Sequence, residues 1–473
     1  MNKKKRMLLI GAIVLVVLVA AMLALLLTQP EDEADTSSTS SEEETVYLYQ
    51  EEENSLETLT VENASGSYTI EQAGEELWGI PELDGYETDS EEYADTVERY
   101  TELPAKERLL EEVEDKAKYG LAEPSGTGTA TFENGTTHTV MVGDMTPDEA
   151  GYYAMVDDDP ALYIITVANA EKMTQSELAY LQRTLIEGYD TSDADAIPTI
   201  DGMSIRRKDL DYDVVLEPAE LDADDPGAAY ASTLQMVSPI QSDLDTQHAD
   251  ETVIYPLFGL TAEEAVALDA DAHAGEYGLD DPFAVVTLQY DGRTATMTFG
   301  AQADEESYYM TFNDRNVVYR VMTEDVAALT VDPNTMVSSL SILPNIDEVE
   351  TMTVSIRGET HTYALDGEGD ELTVTADGAE VDTDSFRDLY QLFLNPDLEA
   401  IYTGEVSGEP AVSVTYSYRT GGSDTIELYN DGGRQMIYAQ NGVPSRSGRS
   451  AYLEKLEREI QHLFDGETVN TEW

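Results

Sequence analysis

The sequence predicts an α+β fold: tandem repeats of antiparallel β-hairpins with interspersed helices, following one N-terminal transmembrane helix. Three observations predict it. An unbroken apolar run lies near the N-terminus, short motifs recur at a long and nearly constant offset, and alternating strands flank tight-turn signals. Composition permits packed cores, because the 41% hydrophobic residues rise to about 48% once the 32 glycines of the 473-residue chain are included.

The first element is the apolar run. Lys3, Lys4, Lys5 and Arg6 precede Met7–Leu27, MLLIGAIVLVVLVAAMLALLL. As a helix rising 1.5 Å per residue, this stretch would span roughly 31 Å, one hydrocarbon core. The competing reading is a cleaved signal peptide, whose apolar region runs only about 7 to 15 residues and ends at a small-residue site. Leu25, Leu26, Leu27, Thr28, Gln29 and Pro30 offer no such site, so an uncleaved anchor is expected. The positive-inside bias makes residues 1–6 a basic cytoplasmic tip and residues 7–27 a single membrane crossing. The expected location is the cell membrane, with everything beyond Leu27 outside the cell. Residues 28–46, rich in Ser, Thr, Asp and Glu, read as a solvated stalk.

The charge is distributed by that topology. The chain has 97 Asp and Glu against 25 Lys and Arg, with five His and no Cys, for a formal charge of −72. Setting aside the four basic residues of the tip leaves 21 against 97, or −76, on the exported side. Such a surface repels phosphate backbones and excludes nucleic acid as a partner. The lack of cysteine removes disulfides, thiolate zinc sites, thiol nucleophiles and lipidated anchors.

Beyond the stalk, the chain repeats itself. Tyr119-Gly-Leu-Ala-Glu-Pro124 corresponds to Tyr277-Gly-Leu-Asp-Asp-Pro282. In the first copy Gly143, Tyr152, Tyr153 and Tyr163 follow, and in the second Gly300, Tyr308, Tyr309 and Tyr319. The offset is 158 residues at Tyr119 and 156 at Tyr163. Ile197-Pro-Thr-Ile-Asp201 resembles Leu343-Pro-Asn-Ile-Asp347, and Thr88-Asp-Ser90 resembles Thr383-Asp-Ser385. Repeat units are therefore expected at residues 47–192, 193–341 and 342–464, the third divergent because it lacks the Tyr-Gly-Leu segment, with a tail at 465–473.

Each unit opens with a hairpin: Leu59–Val61 with Tyr68–Ile70, Met203–Ile205 with Val214–Leu216, and Val354–Ile356 with Tyr363–Leu365. Asp291-Gly292 signals a two-residue turn that sets Leu288 opposite Ala295, Val286 opposite Met297 and Ala284 opposite Phe299, all on one face. In the first copy a three-residue loop, Glu133–Gly135, pairs Gly128 with Val140 and Ala130 with His138, restoring the equivalent face. In the third, Val412, Val414, Tyr416 and Tyr418 alternate before Gly421-Gly422, then Ile426 and Leu428. Helices are expected at Ser90–Thr101, Ala105–Lys118, Ala228–Val237, Thr261–Ala267 and Ser385–Leu394, and at Thr174–Glu187 behind a Thr174-x-x-Glu177 capping box.

These motifs resemble the bacterial family known as domain of unknown function 4340. The matching residues are Tyr119, Gly120, Leu121, Pro124, Gly143, Tyr152, Tyr153 and Tyr163, then Tyr277, Gly278, Leu279, Pro282, Gly300, Tyr308, Tyr309, Tyr319 and Val321. The family has no assigned catalytic residues. Its members are similar to membrane-anchored proteins associated with ABC-type export systems, some linked to gliding motility. The resemblance implies an accessory role in transport with ABC-type transporter subunits as partners.

The candidate chemistry is sparse. The recurrent glycines are read as backbone geometry rather than a ligand loop, and the Tyr-Tyr pairs as strand residues that alternate inward and outward rather than a sugar platform. Asp269, Asp271 and His273 before Gly275, and Asp366, Glu368 and Asp370, suggest oxygen ligands for calcium, but neither fits a twelve-residue loop. These acids imply diffuse, weak divalent-cation binding rather than a specific site. His138, His248, His273, His361 and His462 are scattered, and no hydrolase motif accompanies them. No catalytic, cofactor-binding or metal-binding residue is assigned, and no cofactor is expected. The expected function is a membrane-anchored binding or scaffold region; the alternatives are a carboxylate-based carbohydrate hydrolase of the cell envelope and a calcium-responsive adhesin.

Overall fold

The computed structural model describes residues 46–74, 77–219, 232–338, 342 and 344–472. The predicted anchor at residues 7–27 and nearly all of the stalk lie outside the described residues. Among the described residues no helix is long and apolar enough to cross a membrane.

The fold is α+β and mostly antiparallel sheet. β1 (Val46–Gln50) pairs with β5 (Glu102–Ala105) in a small ribbon. The first large sheet starts with β2 (Leu56–Asn63), β3 (Gly66–Gly74) and β4 (Leu77–Gly79) as a meander. The helix Ser90–Thr101 then carries the chain across to β6 (Glu107–Leu110) at the far edge. A second meander, β7 (Gly126–Phe132), β8 (Thr137–Met145), β9 (Tyr152–Val156) and β10 (Leu162–Ile165), fills the gap, giving the order β4-β3-β2-β7-β8-β9-β10-β6.

The second sheet repeats this path. Its first meander is β11 (Ile200–Arg207), β12 (Val214–Pro218), β13 (Leu234–Ser238) and the short β14 (Ser242–Asp243). The helical segment Gln247–Ile254 leads to the far-edge strand β15 (Glu264–Leu268), and β16 (Ala284–Tyr290), β17 (Arg293–Gln302), β18 (Ser307–Phe312) and β19 (Val317–Met322) fill the middle. In the third sheet β20 (Val349–Ile356), β21 (Glu359–Asp366), β22 (Thr373–Ala376) and β23 (Ala379–Glu380) come first. The helix Thr383–Leu394, the edge strand β24 (Leu398–Ile401), and β25 (Val412–Tyr418), β26 (Ser423–Asn430), β27 (Gln435–Gln440) and β28 (Val443–Arg449) complete it, before a closing helix Ala451–Asp465. The second and third sheets have the same nine-strand order, although the third lacks the Tyr-Gly-Leu segment.

Hairpin geometry follows the sequence closely. Leu288 pairs with Ala295, Val286 with Met297 and Ala284 with Phe299. Gly128 pairs with Val140 and Ala130 with His138, while Phe132 and Thr136 close the three-residue loop through a 3.0 Å hydrogen bond. Alternation explains this register. Leu59, Val61, Val286, Leu288, Met352 and Val354 are buried on one face, and a one-residue slip would turn them all to water, at roughly 1.5–3 kcal/mol per large side chain.

Four expected helices are corrected. Ala105–Lys118 contains the end of β5, then β6 and a 3-10 turn at Lys116–Tyr119; Thr261–Ala267 runs into β15. Both segments supply the far-edge strand of their sheet, whose partner strand arrives about 50 residues later (Leu110 beside Leu162, Leu268 beside Val317). Nonlocal pairing overrides the helix preference of their Glu, Leu and Ala residues. In Ala228–Val237, the described end forms β13. In Thr174–Glu187 the helix instead precedes Thr174, spanning Val167–Thr174, because the Thr166 side chain accepts from Asn169 N at 3.2 Å and caps it. The Thr174 hydroxyl donates to Ala170 O, and Ser176 caps the following Glu177–Tyr180 turn.

Apolar contacts join the first two sheets into one core, from Tyr49 to Val337, whereas the third sheet encloses a core of its own from Val349 to Val469.

Candidate functional site

The shared motif forms a clasp between a helical turn and a strand. In the second sheet the chain leaves the short helix Ala270–His273 and turns at Gly278, where φ is +70°. Leu279 N donates to Ala274 O at 2.7 Å, closing the turn. Tyr277 O then accepts from Ala301 N at 2.7 Å, directly over Gly300, where a Cβ would overlap that same oxygen. The first sheet repeats the arrangement: Gly120 turns at φ +71°, Leu121 N donates to Lys116 O at 3.0 Å, and a Cβ on Gly143 would overlap Tyr119 O. Both glycines therefore serve close backbone approach.

The tyrosines complete the clasp. Tyr119 meets Tyr153 edge-on at 5.0 Å and Tyr277 meets Tyr309 at 4.7 Å. Tyr308 is buried and stacks on Phe283 at 5.2 Å, while Tyr152 packs half-buried on the main core. Leu121 is buried with Met155 and Leu162, Leu279 is half-buried, Pro124 is exposed, and Pro282 lines a surface cavity. Tyr163 and Tyr319 are buried in the last strand of their sheets; their hydroxyls donate to Asp159 Oδ2 at 2.7 Å and to Gln182 O at 3.2 Å. Thus the motif gathers into two equivalent packing units, one on each of the first two sheets.

The ladders identify the counterpart of these tyrosines in the third sheet. Cross-strand rows run Gly126, Val142, Ala154, Tyr163 in the first sheet and Ala284, Phe299, Met310, Tyr319 in the second. The same row in the third is Val412, Leu428, Tyr438, Arg446. Arg446 is only 5% exposed, and its Nη1 donates to Ser338 O at 3.0 Å, much as Tyr319 reaches Gln182 O in the segment leading out of the first sheet. Sequence comparison missed this position because the flanking Ser445 and Ser447 share nothing with the Val-Tyr-Arg and Leu-Tyr-Ile segments.

Two cavities carry charged side chains in their walls. One, of about 190 Å³, lies between the second and third sheets and is lined by Gln235, Gln241, Ser242, Tyr438, Gln440 and Arg446, among others. The other, of about 380 Å³, lies beside Arg206, Arg207, Lys208 and Pro282. Its charges are mostly balanced: Arg207 pairs with Asp209 at 2.8 Å and Lys208 with Asp281 at 2.6 Å.

The acidic segments do not converge. Asp269 accepts from the Tyr86 hydroxyl at 3.1 Å, His273 faces Glu276 at 3.1 Å, and Gly369 N donates to Asp347 rather than to the neighbouring acids. Among the described residues no group of three or more His, Asp or Glu side chains is arranged to hold a metal ion. His138 lies between Glu51 Oε1 at 3.1 Å and Asp157 Oδ2 at 2.8 Å, stacked on Tyr49 at 4.3 Å. His361 meets Asp377 at 2.9 Å, and backbone donation from Thr362 together with His361 holds that carboxyl below its usual pKa. Both histidines thus brace hairpin turns.

The model of the family described as domain of unknown function (DUF4340) matches residues 78–272 and 251–401, jointly most of the chain. The chain belongs to the DUF4340 family. Each matched DUF4340 region begins part-way through one sheet and ends in the next, so the family unit is out of phase with the sheet unit. No curated protein and no solved structure matches the chain.

Proposed function

We propose that this DUF4340 protein is a single-pass membrane protein whose exported sheets act as a binding or scaffold module accessory to an ABC-type transport complex. The observation that carries the reading is the recurrence of one strand order, complete in the second and third sheets and one edge strand shorter in the first, with the motif residues packed against one another. Repeated sheets in series present extended surface for partner contact, the usual use of tandem architecture. The basic tip and the Met7–Leu27 run supply the anchor, with the N-terminus cytoplasmic and the remainder outside.

Two measurements test it. The chain has no cysteine, so single cysteines placed at Ser37 and Gly408 report topology cleanly. Both are expected to react with a membrane-impermeant maleimide in intact cells; protection of both until lysis rejects the exported orientation. Affinity capture of the full chain from solubilised membranes is expected to recover a polytopic permease and its ATP-binding subunit, and recovery of neither rejects the transport role.

A further inference from the structure

We propose that the cavity between the second and third sheets is a binding site for a short monocarboxylate, with Arg446 as the group that receives the carboxylate. The inference goes beyond the scaffold reading and does not depend on where the chain resides.

Among the described residues, Arg446 is a buried cation without an anion. A guanidinium stays charged in any folded protein, and burial is costly unless an opposite charge compensates. Nη1 has a neutral partner, Ser338 O, and Nε is buried with no hydrogen-bond partner among the described residues. Among the described residues no carboxylate forms an ion pair with it, in a chain where acids outnumber bases by 97 to 25. Contrast Arg207, equally buried, which has Asp209 at 2.8 Å. The two sister positions show that the row does not require a cation, since Tyr163 and Tyr319 fill it with neutral rings.

The space beside Arg446 defines the ligand. A cavity of about 190 Å³ exceeds the ~150 Å³ that admits benzene in an engineered core, so it takes a group of up to about eight heavy atoms. Its wall offers neutral donors and acceptors: Gln241 Nε2 donates to Gln235 Oε1 at 2.6 Å, and Ser242 and Gln440 adjoin. One guanidinium balances one negative charge. Asp243 also lines the cavity, and the chain is strongly acidic, so a doubly charged phosphate is disfavoured relative to a carboxylate. A planar guanidinium edge suits the two oxygens of a carboxylate.

The test uses the purified full-length chain in detergent micelles, titrated calorimetrically at constant ionic strength with glycolate, N-acetylglycine and inorganic phosphate. Glycolate represents a free small acid and N-acetylglycine a peptide C-terminus; saturable binding of either, with a ligand-dependent rise in melting temperature, is expected. Arg446→Gln is expected to weaken it at least about tenfold, while Arg206→Gln, at an exposed guanidinium beside the other cavity, leaves it unchanged. If Arg446→Gln does not fold, Gln241→Trp retains the guanidinium and adds bulk to the cavity wall, with the same expected loss. Absence of carboxylate binding, equal binding by the variants, or tighter binding of phosphate than of both carboxylates overturns the proposal.

Discussion

Gly300 lies directly beneath the carbonyl oxygen of Tyr277, and Gly143 beneath that of Tyr119, so the same backbone contact is made twice in the chain. No side chain fits there without moving a backbone segment whose oxygen, at Tyr277, already accepts from Ala301 N at 2.7 Å. Gly300→Ala and Gly143→Ala are each expected to cost about 2 to 4 kcal/mol. Gly275→Ala, where a Cβ would meet nothing closer than Asp280 at 3.7 Å, is expected to cost under about 0.5 kcal/mol. Urea denaturation of the three variants checks the contrast.

The helix Thr383–Leu394 is capped by Asp382, whose side chain accepts from Ser385 N at 2.9 Å, not by the Asp384 of the Thr-Asp-Ser match. Asp382→Ala is therefore expected to cost about 1 kcal/mol, and Asp384→Ala less than half as much. Equal losses would contradict the cap assignment.

Lys172 binds the helix Val167–Thr174 to Ser90–Thr101 through Glu92 and, at 2.9 Å, Asp95. Its side chain is 8% exposed, whereas Asp95 is 40% exposed and partly screened. Lys172→Ala is expected to cost about 2 to 3 kcal/mol by leaving two carboxylates facing each other. Arg99 first, and then Lys172, lower the Asp95 pKa from its usual 3.8 despite some desolvation. This contribution is present above the unfolded pKa and disappears as pH falls through the lower folded value. The stability gap between wild type and Asp95→Asn should accordingly narrow on acidification below pH 3.8.

Asp250 behaves in the opposite sense. Burial raises its pKa above 3.8 despite the Ser232 hydroxyl donating to Oδ1 at 2.9 Å. A raised carboxyl favours the folded state when protonated, so its ionisation destabilises the fold as pH rises through the two values. Asp250→Asn keeps the acceptor for Ser232 and is expected to raise the melting temperature at pH 7, with the gain vanishing below pH 3.8. A gain independent of pH would refute the ionisation account.

The third sheet has a separate hydrophobic core, while the first two share one. Calorimetry is expected to resolve two unfolding transitions. Phe386→Ala, deleting a fully buried ring of the third core at about 3 to 5 kcal/mol, should lower only one of them. A single transition that shifts as a whole would show that the cores unfold together.

Local chemistry made much of this fold readable. Asp291-Gly292 determined a two-residue turn, and strict alternation on either side then fixed the pairing of Ala284 through Leu288, because only one register buries every apolar residue. The helix Ser90–Thr101 was equally legible, and the structure adds its Asp89 cap. Edge strands were not. β6 is exposed at all four residues and β15 is mostly half-buried, so neither shows a period of two. What makes them strands is the hydrogen-bonding edge of β10 or β19, formed by residues distant in sequence.

By itself the sequence determined the repeat, the hairpin registers, the family motif and the chain's acidic character, since each depends on spacing, turn chemistry or composition. Only the tertiary structure decided that the third unit has the full strand order, and that Arg446 occupies the row of Tyr163 and Tyr319. That equivalence is carried by backbone hydrogen bonds across four strands, and backbone groups are the same whatever the side chain. A tyrosine and an arginine can therefore share a position that no comparison of letters would align.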